Sequence, residues 1–99
     1  MTGMKQVTIF CSADLSTAVQ EALVRAGVEG FFHLPGGAGV KPGAAAEHGR
    51  WPRWEAEMFV TPVPDDAASR IVEALRSLAG RCEVEPCLRI LVSGLEAVH

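Results

Sequence analysis

The sequence predicts an α+β domain of order βαββαβ, and three observations carry that expectation. Four short apolar stretches have the composition or alternation of strands, two others repeat their apolar residues at helical spacing, and each helical stretch directly follows a strand. With 99 residues there is room for one core and no second domain, so residues 1–99 are read as a single domain.

Val7, Ile9 and Cys11 alternate with Thr8 and Phe10, the period of a first strand. After the turn-like Ser12-Ala13-Asp14, residues Leu15, Ala18, Val19, Ala22, Leu23 and Ala26 form one helical stripe, and Gly27 stops it because glycine accepts the left-handed cap conformation. Val28 to Leu34, with Phe31 and Phe32 adjacent, reads as a second strand that Pro35-Gly36-Gly37 ends or bends. Residues 36–53 are rich in Gly, Pro and Ala without a sustained period, which reads as a long flexible loop. Trp54 to Val63 resumes a strand with Ala56, Met58 and Val60 on one face and Glu55, Glu57 and Phe59 on the other, closed by Pro62 and Pro64. Asp65 or Asp66 is expected to cap a second helix carrying Ala68, Ile71, Val72, Leu75, Leu78 and Ala79 ahead of Gly80, and Leu88, Ile90 and Val92 mark a fourth strand. This order is the ferredoxin-like split βαβ arrangement: a four-stranded antiparallel sheet with two helices on one face. The other face is left bare, which favours self-association through the sheet.

Composition narrows the function. A formal charge of −3 without a Lys/Arg block argues against a nucleic-acid surface. Membrane insertion is not expected, since the apolar runs fall well short of a span, and with no secretory pattern at the start a cytoplasmic location is expected. Three cysteines do not make a disulfide framework. No Ser/His/Asp grouping or carboxylate pair stands at a catalytic spacing, so an enzyme is not expected.

Several segments resemble the PII signal-transduction proteins and their PII-like relatives. Val19-Gln20-Glu21-Ala22-Leu23 with Ala26-Gly27-Val28 and Gly30 is similar to the family's first helix and its exit; Gly37-Ala38-Gly39 with Lys41 and Gly43 resembles the start of its T-loop. Val63-Pro64-Asp65-Asp66 is similar to its entry into the second helix, and Arg89-Ile90-Leu91-Val92 to its last strand. The resemblance implies a non-enzymatic regulatory protein, a homotrimer that senses a small anionic effector between subunits and acts through its loop on a protein partner such as a membrane transporter. It also implies an adenine nucleotide as effector, and AMP or ADP rather than ATP, because Glu83-Val84-Glu85-Pro86-Cys87 stands where the family carries a Gly-Asp-Gly phosphate turn and two carboxylates there repel a triphosphate.

Glycines at 36, 37 and 39 can turn backbone N–H groups toward an anion or serve as a hinge. Gly37, Ala38, Gly39, Lys41 and Arg89 are therefore the candidate phosphate contacts, with Val63 lining the adenine side by resemblance. Arg89 reads equally as a solvent-facing strand charge. Arg50-Trp51-Pro52-Arg53-Trp54 is an aromatic and cationic cluster suited to a partner contact or to sealing an edge, one tryptophan buried and the other available. Cys82 and Cys87 can close a small disulfide or offer thiolates to a soft metal. With His33 they define the alternative, a metal-binding trimer of the divalent-cation tolerance or metal-efflux-associated kind, to which His48 and His99 add further imidazoles.

Overall fold

The structure is a computed structural model that describes residues 3–42, 51–81 and 87–99. Strand β1 (Met4–Ser12) leads through a 3-10 turn at Ala13–Leu15 into helix α1 (Ser16–Arg25); β2 (Phe32–Val40) and β3 (Arg53–Pro64) form a hairpin; α2 (Asp65–Arg76), a 3-10 turn at Ala79–Arg81 and β4 (Leu88–Leu95) follow. The four strands make one antiparallel sheet in the order β2-β3-β1-β4, the ferredoxin-like topology expected from the sequence.

Strand alternation divides the sheet into two unlike faces. Val7, Ile9 and Cys11 of β1 and Phe59, Thr61 and Val63 of β3 are buried together with Val19, Ala22 and Leu23 of α1 and Ala68, Ile71 and Leu75 of α2. Both helices therefore cover one face. Burying each of the large side chains contributes about 1.5–3 kcal/mol. Thr61 is tolerated at full burial because its hydroxyl donates to the Gly30 carbonyl at 2.7 Å. On the opposite face Phe10, Phe32, Leu34 and Leu91 stay exposed, Phe32 at 75 %.

Gly27 ends α1 as expected. Its φ of 80° lets the Val28 amide reach the Leu23 carbonyl and its own amide reach Val24, the paired bonds of a Schellman cap. The capping role expected of Asp65 or Asp66 is corrected. Both lie inside the first turn of α2, the N-cap is Pro64, and the Asp65 amide donates to the Gly3 carbonyl at 3.0 Å. Their carboxylates still suit the positive end of the helix.

The second strand is also corrected. It begins at Phe32 rather than Val28 and runs through Pro35-Gly36 to Val40, so the connection to β3 begins at Lys41 and not at residue 36. The register against β3 slips between Leu34 and Gly37, with Gly36 at a φ of 80°. A bulge absorbs the Pro-Gly pair, and the missing amide of Pro35 is harmless because β2 is an edge strand. Of the loop read at 36–53, residues 43–50 lie outside the described part.

Candidate functional site

The bulge decides which residues meet at the loop end of the sheet. Before it, Phe32 and Leu34 pair with Val60 and Met58; after it, Gly37 and Gly39 pair with Ala56 and Trp54. One extra residue in β2 thus keeps the glycines over the even-numbered face of β3. Gly39 carries no side chain because the Trp54 ring occupies that space: a Cβ there would stand 2.2 Å from Trp54 Cε2. Gly37 is packed nearly as closely, with the Ala56 carbonyl oxygen 3.1 Å from where its Cβ would lie.

Across the sheet, Phe10 pairs with Met58 on one side and with Arg89 on the other, which puts Arg89 on the open face. Phe10, Trp54, Ala56, Ala38, Gly39, Arg89 and the two cysteines Cys11 and Cys87 line one concavity of about 130 Å³. Three candidate residues, Ala38, Gly39 and Arg89, are therefore brought together, with Gly37 adjacent in the strand. Lys41 lies just past β2, exposed, and its amide donates to the Pro52 carbonyl at 3.1 Å, closing the base of the loop. Trp51 is 52 % exposed and Arg53 is exposed, whereas Trp54 is half-buried on Gly39. Arg50 lies outside the described residues.

Val63 is not part of this group. It is buried on the helix side of β3, nine residues from Trp54, or about 30 Å along an extended strand. Its flanking prolines, Pro62 and Pro64, instead line a second concavity of about 390 Å³ with Gly27, Val28, Asp66 and Arg70. Arg70 is fixed there by a 3.0 Å bond from Nη1 to the Ala26 carbonyl. Arg70 is exposed, and only the α1 cap reveals its place at this concavity.

Beneath the sheet, α1 and the hairpin meet through polar side chains that no local spacing announces. The Ser16 hydroxyl donates to Glu57 Oε1 at 2.7 Å, the His33 ring contacts the same oxygen through Nε2, and Gln20 donates to Ser16 Oγ at 3.3 Å. His33 stacks flat on Phe59, centroids 4.3 Å apart. Glu57 is held below the ordinary carboxyl value, first by the Ser16 hydroxyl and then by His33, against an opposing effect of burial. In a nucleophilic triad the imidazole stands between hydroxyl and carboxylate. Here the carboxylate accepts the serine hydroxyl's hydrogen bond directly, so this grouping orients β2 and α1 rather than activating Ser16. Cys11, opposite Glu57 in the register, has its thiol pushed up to about 11 by burial, by Glu57 and by Asp14, which keeps it protonated.

Among the described residues no group of three or more His, Cys, Asp or Glu side chains is placed to hold a metal ion. Of the metal candidates, His33 is taken up by Glu57, Cys87 is disulfide-bonded, and Cys82 lies outside the described residues along with Glu83 and Glu85. Among the described residues no helix is long and apolar enough to cross a membrane.

No protein-family model matches the chain, and no curated protein matches it in sequence. Its likeness is to solved structures. CPII, a nitrogen regulatory PII-like protein from Thiomonas intermedia K12 solved with ADP, AMP and acetate, superposes at a TM-score of 0.71 and 16 % identity over 97 % of this chain and 89 % of that one. The ATP complex of GlnK from B. subtilis gives 0.71 and 16 % over 94 % and 82 %. A DUF3240 family protein from Shewanella baltica OS155 gives 0.68 and 11 % over 100 % and 97 %. The chain has the PII-like fold that the sequence resemblance implied.

Proposed function

We propose that this chain is a non-enzymatic regulatory protein of the PII-like kind, a homotrimer that binds an adenine nucleotide in the clefts between its subunits. The observation that carries the reading is the separation of the two concavities. The glycine strand and Arg89 stand at one end of β3 and the Pro62–Pro64 pocket at the other, and Ala56 and Pro62, their nearest lining residues on that strand, are six residues apart, about 20 Å when extended. A mononucleotide is shorter than that span. One protomer offers its phosphate end and another its base end, so the complete site requires assembly.

The bare sheet face supplies the reason to assemble. Phe10, Phe32, Leu34 and Leu91 form an exposed apolar surface on the face the helices leave uncovered, and burying it against other copies removes that area from water. In this reading Gly37, Ala38 and Gly39 approach the phosphates through backbone, Lys41 and Arg89 neutralise them, and Val63 fixes the strand that carries Pro62 and Pro64. With two cations assigned and Glu83 and Glu85 in the chain ahead of β4, AMP or ADP fits the charge better than ATP. CPII has been solved with ADP and AMP and GlnK with ATP, which supports an adenine nucleotide as the effector. The loop that starts at Lys41 carries Arg50 and Trp51, with Arg53 and Trp54 at its return, and presents an aromatic and cationic surface to a protein partner, a membrane transporter among the candidates. A nucleotide switches it by binding ordered and unordered loop states unequally. Among the described residues no group of side chains is placed to favour the metal-binding alternative.

Titration calorimetry with AMP, ADP and ATP tests the reading. AMP or ADP is expected to bind wild type, and Arg89→Ala to weaken binding roughly 10- to 100-fold, the loss of one charge-assisted hydrogen bond. No heat with any of the three nucleotides refutes it.

A further inference from the structure

The β2–β3 hairpin outruns the rest of the sheet. Strand β1 pairs with β3 up to Ser12, opposite Ala56, and with β4 up to Cys11, whereas Ala38, Gly39 and Val40 continue against Glu55, Trp54 and Arg53 beyond the end of β1. A two-stranded ribbon is marginally stable by itself, so this arm depends on what holds its root. Two features meet there. One is the register slip between Leu34 and Gly37, with Gly36 at a φ of 80°, which gives the strand a place to bend. The other is the group formed by Ser16, Glu57 and His33: Glu57 on β3 accepts from Ser16 at the start of α1 at 2.7 Å and contacts Nε2 of His33 on β2, just ahead of the slip. His33 is the only polar side chain of β2, and its ring lies flat on the buried Phe59. All of β2 except Gly39 is exposed, so little core packing stands in for that contact.

We propose that the Ser16–Glu57–His33 group is a clamp on the β2–β3 arm: engaged, it holds the glycine strand beside Arg89, and released, it lets the arm bend at the Leu34–Gly37 bulge. Its three side chains come from three elements, and each is fixed independently. Ser16 opens α1, where Gln20 donates to its Oγ at 3.3 Å; Glu57 is set by its pairing with Cys11 of β1; His33 is set by its stack on Phe59. Removing the Glu57 carboxylate therefore unties both strands from α1, whereas removing the His33 ring frees β2 and leaves β3 tied. On the open side the Trp54 ring packs against Gly39, which joins the two strands of the arm to each other and leaves its angle to the sheet to the clamp. Ser16, Glu57 and His33 are thus positioning residues for the glycine strand. Their effect on affinity rests on the nucleotide site proposed above: an effector that meets Gly37 to Gly39 and Arg89 together selects the clamped arrangement, and the two stabilise each other by the same factor.

Hydrogen exchange over residues 37–40 and 53–56, read by mass spectrometry alongside AMP calorimetry, tests the clamp in wild type, Glu57→Ala, Glu57→Gln and His33→Ala. Glu57→Ala is expected to exchange at least about tenfold faster in the arm while the core of β1, residues 7–9, exchanges as in wild type. His33→Ala is expected to speed 37–40 more than 53–56. Glu57→Gln keeps an acceptor for Ser16 and should fall between wild type and Glu57→Ala. Ile71→Val, a loss of core packing outside the group, should leave the arm at the wild-type rate, which sets the clamp apart from general destabilisation. Arm exchange unchanged in both alanine variants, or arm and core rising by the same factor, overturns the clamp. AMP binding at least about fivefold weaker in Glu57→Ala extends the clamp to the site, and undiminished binding with a faster arm refutes that coupling. Faster arm exchange with no AMP binding in any form supports the clamp and refutes the nucleotide reading alone.

Discussion

Glu57 shows how one side chain ties the hairpin to α1. It accepts from Ser16 and contacts the His33 ring, and both interactions favour its ionised form. A carboxyl whose folded value is depressed stabilises the fold above its unfolded value and loses that contribution as the pH falls through the folded one. Wild type is therefore expected to lose stability more steeply than Glu57→Gln as the pH drops below the ordinary value of 4.5, read by urea melts at successive pH values. Cys11 has the opposite sign. Its thiol is raised from 9.0 to about 11, so its contribution is intact below the lower value and lost as the pH climbs to the upper one. Cys11→Ala should flatten the alkaline side of the stability profile, and native Cys11 should resist iodoacetamide at neutral pH. Gly39 and Trp54 make the third residue-scale case. Gly39→Ala forces the Trp54 ring off the strand and is expected to cost about 1–3 kcal/mol with a red shift in emission. In a Trp54→Ala background the same change should cost almost nothing, and an unchanged cost would show that the ring is not the obstacle.

At the scale of elements, backbone conformation and side-chain space separate cleanly. A Cβ on Gly27 meets nothing within 4 Å, so Gly27→Ala is expected to cost about 1 kcal/mol purely from the left-handed backbone, measured as a shift in denaturation midpoint at constant slope. Gly27 was readable in the sequence because a glycine after a helical stripe has one common use. The glycines of β2 were not, since a Pro-Gly-Gly run usually ends a strand. Only the partner strand reveals that Trp54 needs Gly39 bare, and only the edge position of β2 makes Pro35 harmless. The α2 start was legible as a boundary from Pro64-Asp65-Asp66. Its cap was not, because the acceptor is the Gly3 carbonyl, contributed by the far end of the chain. Ser16 and Glu57 are 41 residues apart, a separation over which periodicity carries no signal.

For the whole molecule, the alternation in β1 was enough to identify the buried face, whereas that in β3 was not, because the core takes Phe59, Thr61 and Val63 from the side that also carries Glu55 and Glu57 and leaves Ala56, Met58 and Val60 on the open side. Phe10 falls between Ile9 and Cys11, and that parity alone puts it on the side the helices do not cover. Arg89 was legible as a candidate through resemblance, but its meeting with Trp54 and Gly39 depends on the order of all four strands. Val63 was legible as a family match and proves to be core, with the pocket belonging to its neighbours Pro62 and Pro64. If the proposed trimer forms through the bare face, replacing the most exposed ring, Phe32→Asp, should leave the two-helix core folded by circular dichroism yet dissociate the assembly, since a charge at a buried apolar contact is strongly disfavoured. The measurement that bears most directly on the central claim is native mass spectrometry of the protein titrated with AMP. The account predicts a three-chain species that takes up nucleotide while any single chain present stays empty. A single chain that binds AMP on its own, or a trimer that binds none, would contradict it.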